Sequence, residues 1–86
     1  MSDALTPQEL ADLMRKNAGI AVEPEHLADN LDSRFDAYGL DSLGLLGIVA
    51  ALENHRGASM PADAEKCATP REFLALVNNT LTKSGA

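Results

Sequence analysis

Apolar residues recur at helical spacing in three stretches of the chain. Thr6-Pro7-Gln8-Glu9 places a capping threonine, a proline at the first helical position and a glutamate three residues after the cap. Leu10, Leu13, Met14 and Asn17 then share one face, and Gly19 offers a stop. Thr69-Pro70-Arg71-Glu72 repeats the start signal and leads into Phe73, Val77, Thr80 and Leu81 on one side. Between them a helix is predicted from about Ser42 to Arg56, stopping at Gly57. At 100° per residue its Leu45, Ile48, Val49 and Leu52 cluster on a core stripe. Leu43, Leu46, Gly47, Ala50 and Asn54 fall opposite, which leaves Leu43 and Leu46 on an exposed shoulder beside Ser42. A short helical turn over 62–67 follows Pro61, and no strand-like alternation runs long enough to count. Residues 20–40 lack a strong period. Leu27, Leu31 and Phe35 recur every four residues there, as a turn or two of helix or, by preference, as anchors pinning a long crossover to the bundle. The expected fold is all-α, in one domain over residues 1–86.

Composition narrows this further. Phe35, Phe73 and Tyr38 are the only aromatic residues and Trp is absent. The core must therefore be aliphatic, with the methionines in it or at the terminus. Cys67 is the single cysteine, so no internal disulfide forms, which fits a reducing cytosol. It is expected to be buried and inert, and it has no metal-ligand spacing with His26 or His55. No apolar run reaches membrane-spanning length, so the protein is expected to be soluble and cytoplasmic, with no membrane partner. The net charge of −6 is uneven. Residues 23–41 hold six acids (Glu23, Glu25, Asp29, Asp32, Asp36, Asp41) against one base, Arg34, while residues 42–86 balance. Such a segment repels nucleic acid and attracts basic protein surfaces, or simply aids solubility.

The acidic segment ends at "YGLDSLGLL", residues 38–46, where two good helix caps, Asp41 and Ser42, stand in a row. If Asp41 caps, Ser42 holds the first helical position with its hydroxyl free. Three readings of that hydroxyl stand open. It is a redundant cap; or a nucleophile; or an acceptor for a group added by another enzyme. A nucleophile elbow wants glycines two before and two after the serine; Gly44 fits, but Leu40 stands in the first place. His55 lies thirteen residues further along the same helix, about 20 Å away by helical rise. An added phosphodiester would face free N–H groups and the positive end of a helix, which favours anions.

The stretch "YGLDSLGLLGIVAALENHRG" resembles the attachment site and second helix of acyl carrier proteins. The family pattern of Gly, any residue, Asp-Ser-Leu is matched by Gly39, Leu40, Asp41, Ser42 and Leu43, and the similarity extends over about residues 5–82. It implies a four-helix bundle of three longer helices plus a short third one, with a long first loop. It implies a carrier, not an enzyme, whose Ser42 holds 4'-phosphopantetheine installed by a phosphopantetheinyl transferase, with Asp41 and Leu43 flanking. The tail "TPREFLALVNNTL" is similar to the last helix of stand-alone carriers from aromatic (type II) polyketide synthases. Thr69, Pro70, Arg71, Glu72 and Asn78 match, and Asn79 replaces a glycine. The implied role is to carry growing polyketide chains as thioesters, as a monomer that visits ketosynthase and acyltransferase-type enzymes with basic docking surfaces. A fatty-acid or other specialised carrier is the alternative, and an unmodified helical adaptor a further one.

The resemblance also suggests roles for other residues. Leu43, Leu46, Glu53 and Asp36 would form the docking face. The position five after the serine is commonly acidic in the family, and here it is Gly47, so Glu53 is the main charge left on that helix. Gly44 and Gly47 in one helix each cost about 1 kcal/mol against alanine, through close approach of another element or as tolerated drift. Arg71 and Asn78, seven residues apart, fall on one face of the last helix, where an Arg fork and an amide would donate hydrogen bonds to the ketones of a bound chain.

Overall fold

The structure, a computed structural model, describes residues 4–84, with side chains through Leu81. Four α-helices make up the fold: α1 (Pro7–Ala18), α2 (Pro24–Asp29), α3 (Ser42–Arg56) and α4 (Pro70–Ser84). Two 3₁₀ turns, Phe35–Tyr38 and Ala62–Lys66, precede α3 and α4. No strand is present among the described residues.

The helices begin and end where local chemistry directs. Thr6 Oγ1 accepts the Glu9 N–H at 3.2 Å, and Thr69 Oγ1 accepts that of Glu72 at 3.2 Å, so each satisfies one of the unpaired donors of a first turn. At the far end of α3, Gly57 turns left-handed at φ 65° and its N–H reaches the Glu53 carbonyl at 2.8 Å. A side chain would be strained there, and glycine is not.

One apolar core lies between the helices. Leu10, Ala11 and Met14 of α1, Ile48 and Leu52 of α3, and Phe73 and Val77 of α4 belong to it. No polar or charged residue is buried among those described. Phe35 and Phe73 pack edge to face, ring centres 6.0 Å apart at 85°, the arrangement the ring quadrupoles favour. Met14 and Met60 both lie in the core; Met1 is outside the described residues. The expected face of α1 is shifted, because Leu13 is half-buried, Asn17 is exposed and Ala11 takes a core position.

The stretch over 20–40 is more ordered than an anchored crossover. Pro24 opens α2, whose Leu27 is fully buried, and the 3₁₀ turn carries Phe35 inward. The short α-helix is therefore α2, second in the chain and not third as expected, because the later turn at Ala62–Lys66 is 3₁₀. The predicted turn over 62–67 is 3₁₀ and closes at Lys66, with Cys67 as its cap. The loop after α2 is stitched to the start of α4. Phe35 N–H donates to Ala68 O at 2.8 Å, Arg71 N–H donates to Leu31 O at 3.0 Å, and Arg71 Nε donates to Asp32 Oδ1 at 2.6 Å. At the other end of the bundle, Arg56 of α3 pairs with Glu9 of α1 at 2.9 Å.

Candidate functional site

The stitched loop delivers the chain to the start of α3. After the 3₁₀ turn, Gly39 adopts φ 82°, its N–H bonds to Asp36 O at 3.0 Å, and the Leu40 N–H returns to Phe35 O at 3.1 Å. Leu40 is consequently driven inward and is only 3% exposed. Asp41 is then the N-cap, extended at φ −97°, with Oδ1 accepting the Gly44 N–H at 2.8 Å. Ser42 is the first residue of α3 and is exposed, and no protein group among the described residues hydrogen-bonds its hydroxyl. One cap suffices, and the second oxygen is free.

Gly44 has a local reason. A Cβ there would sit 2.7 Å from Leu40 Cδ1 and 3.4 Å from Asp41 Oδ1. Leu40 packs onto the bare helix surface, which explains why it occupies the position where a nucleophile elbow would have glycine. Gly47 has less reason: a Cβ would meet only Asn17 O, at an ordinary 3.7 Å.

Two concavities flank Ser42. A cavity of about 300 Å³ runs inward between Phe35, Leu40, Leu45 and Cys67, with Asp36, Asp41 and Lys66 at its lining. A groove of about 400 Å³ is bordered by Ser42, Leu43, Leu46, Glu65 and Lys66. Leu43 is 74% exposed and Leu46 45%, the large apolar side chains left on the described surface. The expected shoulder beside the serine is therefore present. Neither histidine attends the hydroxyl. His55 lines a groove between α1 and α3 that does not include Ser42, and His26 packs its ring edge on Tyr38 at 6.1 Å. Among the described residues no group of three or more His, Cys, Asp or Glu side chains is placed to hold a metal ion. Nor is any helix long and apolar enough to cross a membrane.

Other expected site residues are engaged elsewhere. Glu53 is half-buried, and its Oε2 accepts the Met60 N–H at 2.7 Å, which ties the loop after α3 back to the helix. It is not the free acidic post on the α3 face that the sequence suggests. Asp36 is exposed and pairs with Arg34 at 3.3 Å. Arg71 forks onto Asp32, holding that carboxyl below its usual range, and is itself raised by the same contact. Asn78 brackets the backbone of Leu5: Oδ1 accepts its N–H at 2.6 Å and Nδ2 donates to its carbonyl at 3.1 Å. Both residues of the expected polar rim thus have protein partners, because the loop after α2 and the segment before α1 run alongside α4. Cys67 is half-exposed, and its Sγ lies 3.6 Å from Asp63 O. Partial burial, then Glu72 and Asp63, pushes its thiol up, so it stays protonated and a poor nucleophile. Lys66, at the meeting of both concavities, has no periodic signal that would have singled it out in the sequence.

These features can be set beside known proteins. The family described as "Phosphopantetheine attachment site" matches residues 8–77. A probable acyl carrier protein of Streptomyces coelicolor is 53% identical over 77 residues, spanning 90% of this chain and 86% of that protein. The actinorhodin polyketide synthase acyl carrier protein of the same species is 38% identical over 85 residues, spanning 98% and 99%. The solution structure of the acetyl form of that actinorhodin carrier superposes with a TM-score of 0.80 at 36% identity, over 98% of this chain and 99% of that one. The helical bundle, the matched attachment-site family and these relatives together define a phosphopantetheine-bearing carrier. Its covalent prosthetic group is 4'-phosphopantetheine. The chain belongs to the acyl carrier proteins, in the branch of the type II polyketide synthases.

The residues at the head of α3 fit that group. The Ser42 hydroxyl is free and exposed, Asp41 is already engaged on the Gly44 N–H, and the remaining first-turn N–H groups of α3, those of Ser42 and Leu43, lack intrahelical acceptors and so favour an anion. When bound, the group supplies a terminal thiol that holds acyl chains as thioesters.

Proposed function

We propose that Ser42 is the attachment residue and that the protein carries growing polyketide chains, acting as a carrier and not as an enzyme. The observation behind this is the solvent-facing Ser42 Oγ at the first position of α3, left free because Asp41 already caps the helix. The chain's own residues present the serine, keep its surroundings open and offer a surface to visit. The protein contributes address and effective concentration. A phosphopantetheinyl transferase would load Ser42. Ketosynthase and acyltransferase-type enzymes would then dock at Leu43 and Leu46, with Asp36 and Asp41 as the acids beside them. A reducing cytoplasm, which the free Cys67 suits, is the proposed setting.

The test is intact mass after incubation with a promiscuous transferase and coenzyme A. Wild type gains one phosphopantetheine. Ser42→Ala gains none and keeps its helical circular dichroism, because Asp41 still caps. An arm on the alanine variant would refute the assignment.

A further inference from the structure

Charge around Ser42 is unbalanced in a way that singles out Lys66. The inner cavity is lined by three carboxylates, Asp36, Asp41 and Glu65, and by two cations, Arg34 and Lys66. Arg34 is already committed to Asp36, at 3.3 Å. Asp41 accepts the Gly44 N–H. Lys66 is exposed, and no carboxylate lies within ion-pair distance of it among the described residues. With Glu65 it is common to both concavities that border Ser42, so it stands on the ridge between them. The ridge is held in place from beneath. Ala64 is fully buried against α3, and its N–H closes the 3₁₀ turn on Pro61 O at 3.0 Å.

A phosphodiester on Ser42 adds one permanent negative charge to this neighbourhood. The first-turn N–H groups of α3 answer it from one side. From the facing 3₁₀ turn, the uncommitted ammonium is that of Lys66. We propose that Lys66 is the counter-ion of the Ser42-linked phosphodiester and the positioning residue that holds the root of the arm against the Ala62–Lys66 turn. The proposal rests on Ser42 being the attachment residue. Lys66 touches no reacting atom. It restrains the fixed end of the arm, which narrows the directions in which the thiol end can be presented.

The loaded protein contains a single phosphorus atom, so phosphorus NMR reads this contact directly. Lys66 is exposed, and surface substitutions of this kind leave folding nearly unchanged. In the loaded wild type the phosphorus line should be broad, following the tumbling of the protein, and should depend on salt. Raising ionic strength from 0.01 to 1 M shortens the Debye length from about 30 Å to about 3 Å, and should move the wild-type line toward that of free phosphopantetheine. Lys66→Ala should show the narrowed, shifted line already at low salt, Lys66→Glu more so, and Lys66→Arg should keep the wild-type line. Identical spectra for wild type, Lys66→Ala and Lys66→Glu would overturn the proposal. Intact mass of the same wild-type sample separates the two levels. Absence of the arm would refute the Ser42 reading and this one with it, whereas an arm present with spectra indifferent to residue 66 refutes this one alone.

Discussion

Replacing Asn78 by alanine tests what the last helix does with its amide. In the structure this side chain brackets Leu5, accepting its N–H at 2.6 Å and donating to its carbonyl at 3.1 Å, across 73 positions of sequence. Leu5 is 2% exposed and anchors the segment that leads into α1. Truncation leaves one donor and one acceptor of Leu5 without their partner. An orphaned buried group costs about 1–3 kcal/mol. Both bonds are only partly buried, so water reaches them in part and the lower half of that range applies to each, about 2–4 kcal/mol together. For a domain of this size that lowers Tm by roughly 10–30 °C. It is a large share of the 5–15 kcal/mol typical of a folded domain, yet the variant should still fold. Urea denaturation followed by circular dichroism measures the loss, with an unchanged m-value as the check on two-state behaviour. Asn78→Asp keeps the acceptor but faces the Leu5 carbonyl with a second acceptor, and should not recover wild-type stability. An Asn78→Ala midpoint within about 0.5 kcal/mol of wild type, the scatter of ordinary surface changes, would refute the clamp. It would also return Asn78 to consideration as a contact for a ketone-bearing chain.

Three further outcomes are expected. Gly47→Ala should stabilise by up to about 1 kcal/mol from helix propensity, since its Cβ meets only Asn17 O at 3.7 Å. Gly44→Ala should gain nothing or lose stability, because its Cβ would press on the buried Leu40 at 2.7 Å; equal gains in thermal melts would contradict that packing account. Leu43→Asp should leave helicity and melting near wild type, Leu43 being 74% exposed, while weakening capture by a ketosynthase in a binding titration. Wild-type binding should itself weaken with salt as surface charge pairs are screened, and undisturbed binding by the aspartate variant would rule out this shoulder. Asp32 has its carboxyl pulled below the ordinary 3.8 by Arg71. A depressed folded pKa means stability present above the unfolded value and lost as pH falls through the folded one. The gap in urea midpoint between wild type and Asp32→Asn should therefore exist at neutral pH and close below pH 3.8; a gap that persists in acid would show that the charge is not its source.

Much of the fold and the heart of the site could be read along the chain, because the signals act within one helical turn. Thr6-Pro7 and Thr69-Pro70 open α1 and α4 through a hydroxyl three residues from the N–H it accepts, and Gly19 and Gly57 close α1 and α3 by a left-handed turn. The stripe Leu45, Ile48, Val49 and Leu52 became the buried face of α3, and Leu43 and Leu46 its exposed shoulder. The freedom of Ser42 follows from Asp41 reaching Gly44, again a contact three residues long. The partners of polar side chains were another matter. Glu53 and Asn78 both read as available groups on helix surfaces, yet one caps the loop at Met60 and the other clamps Leu5. Arg71 finds Asp32 from 39 positions away. Leu40 looked like a misplaced elbow residue until it was seen to fill the space above Gly44. A long polar side chain takes whichever complementary group the packing brings within about 3 Å. Helix phase says which way such a residue points, and only the assembled bundle decides what stands there to meet it.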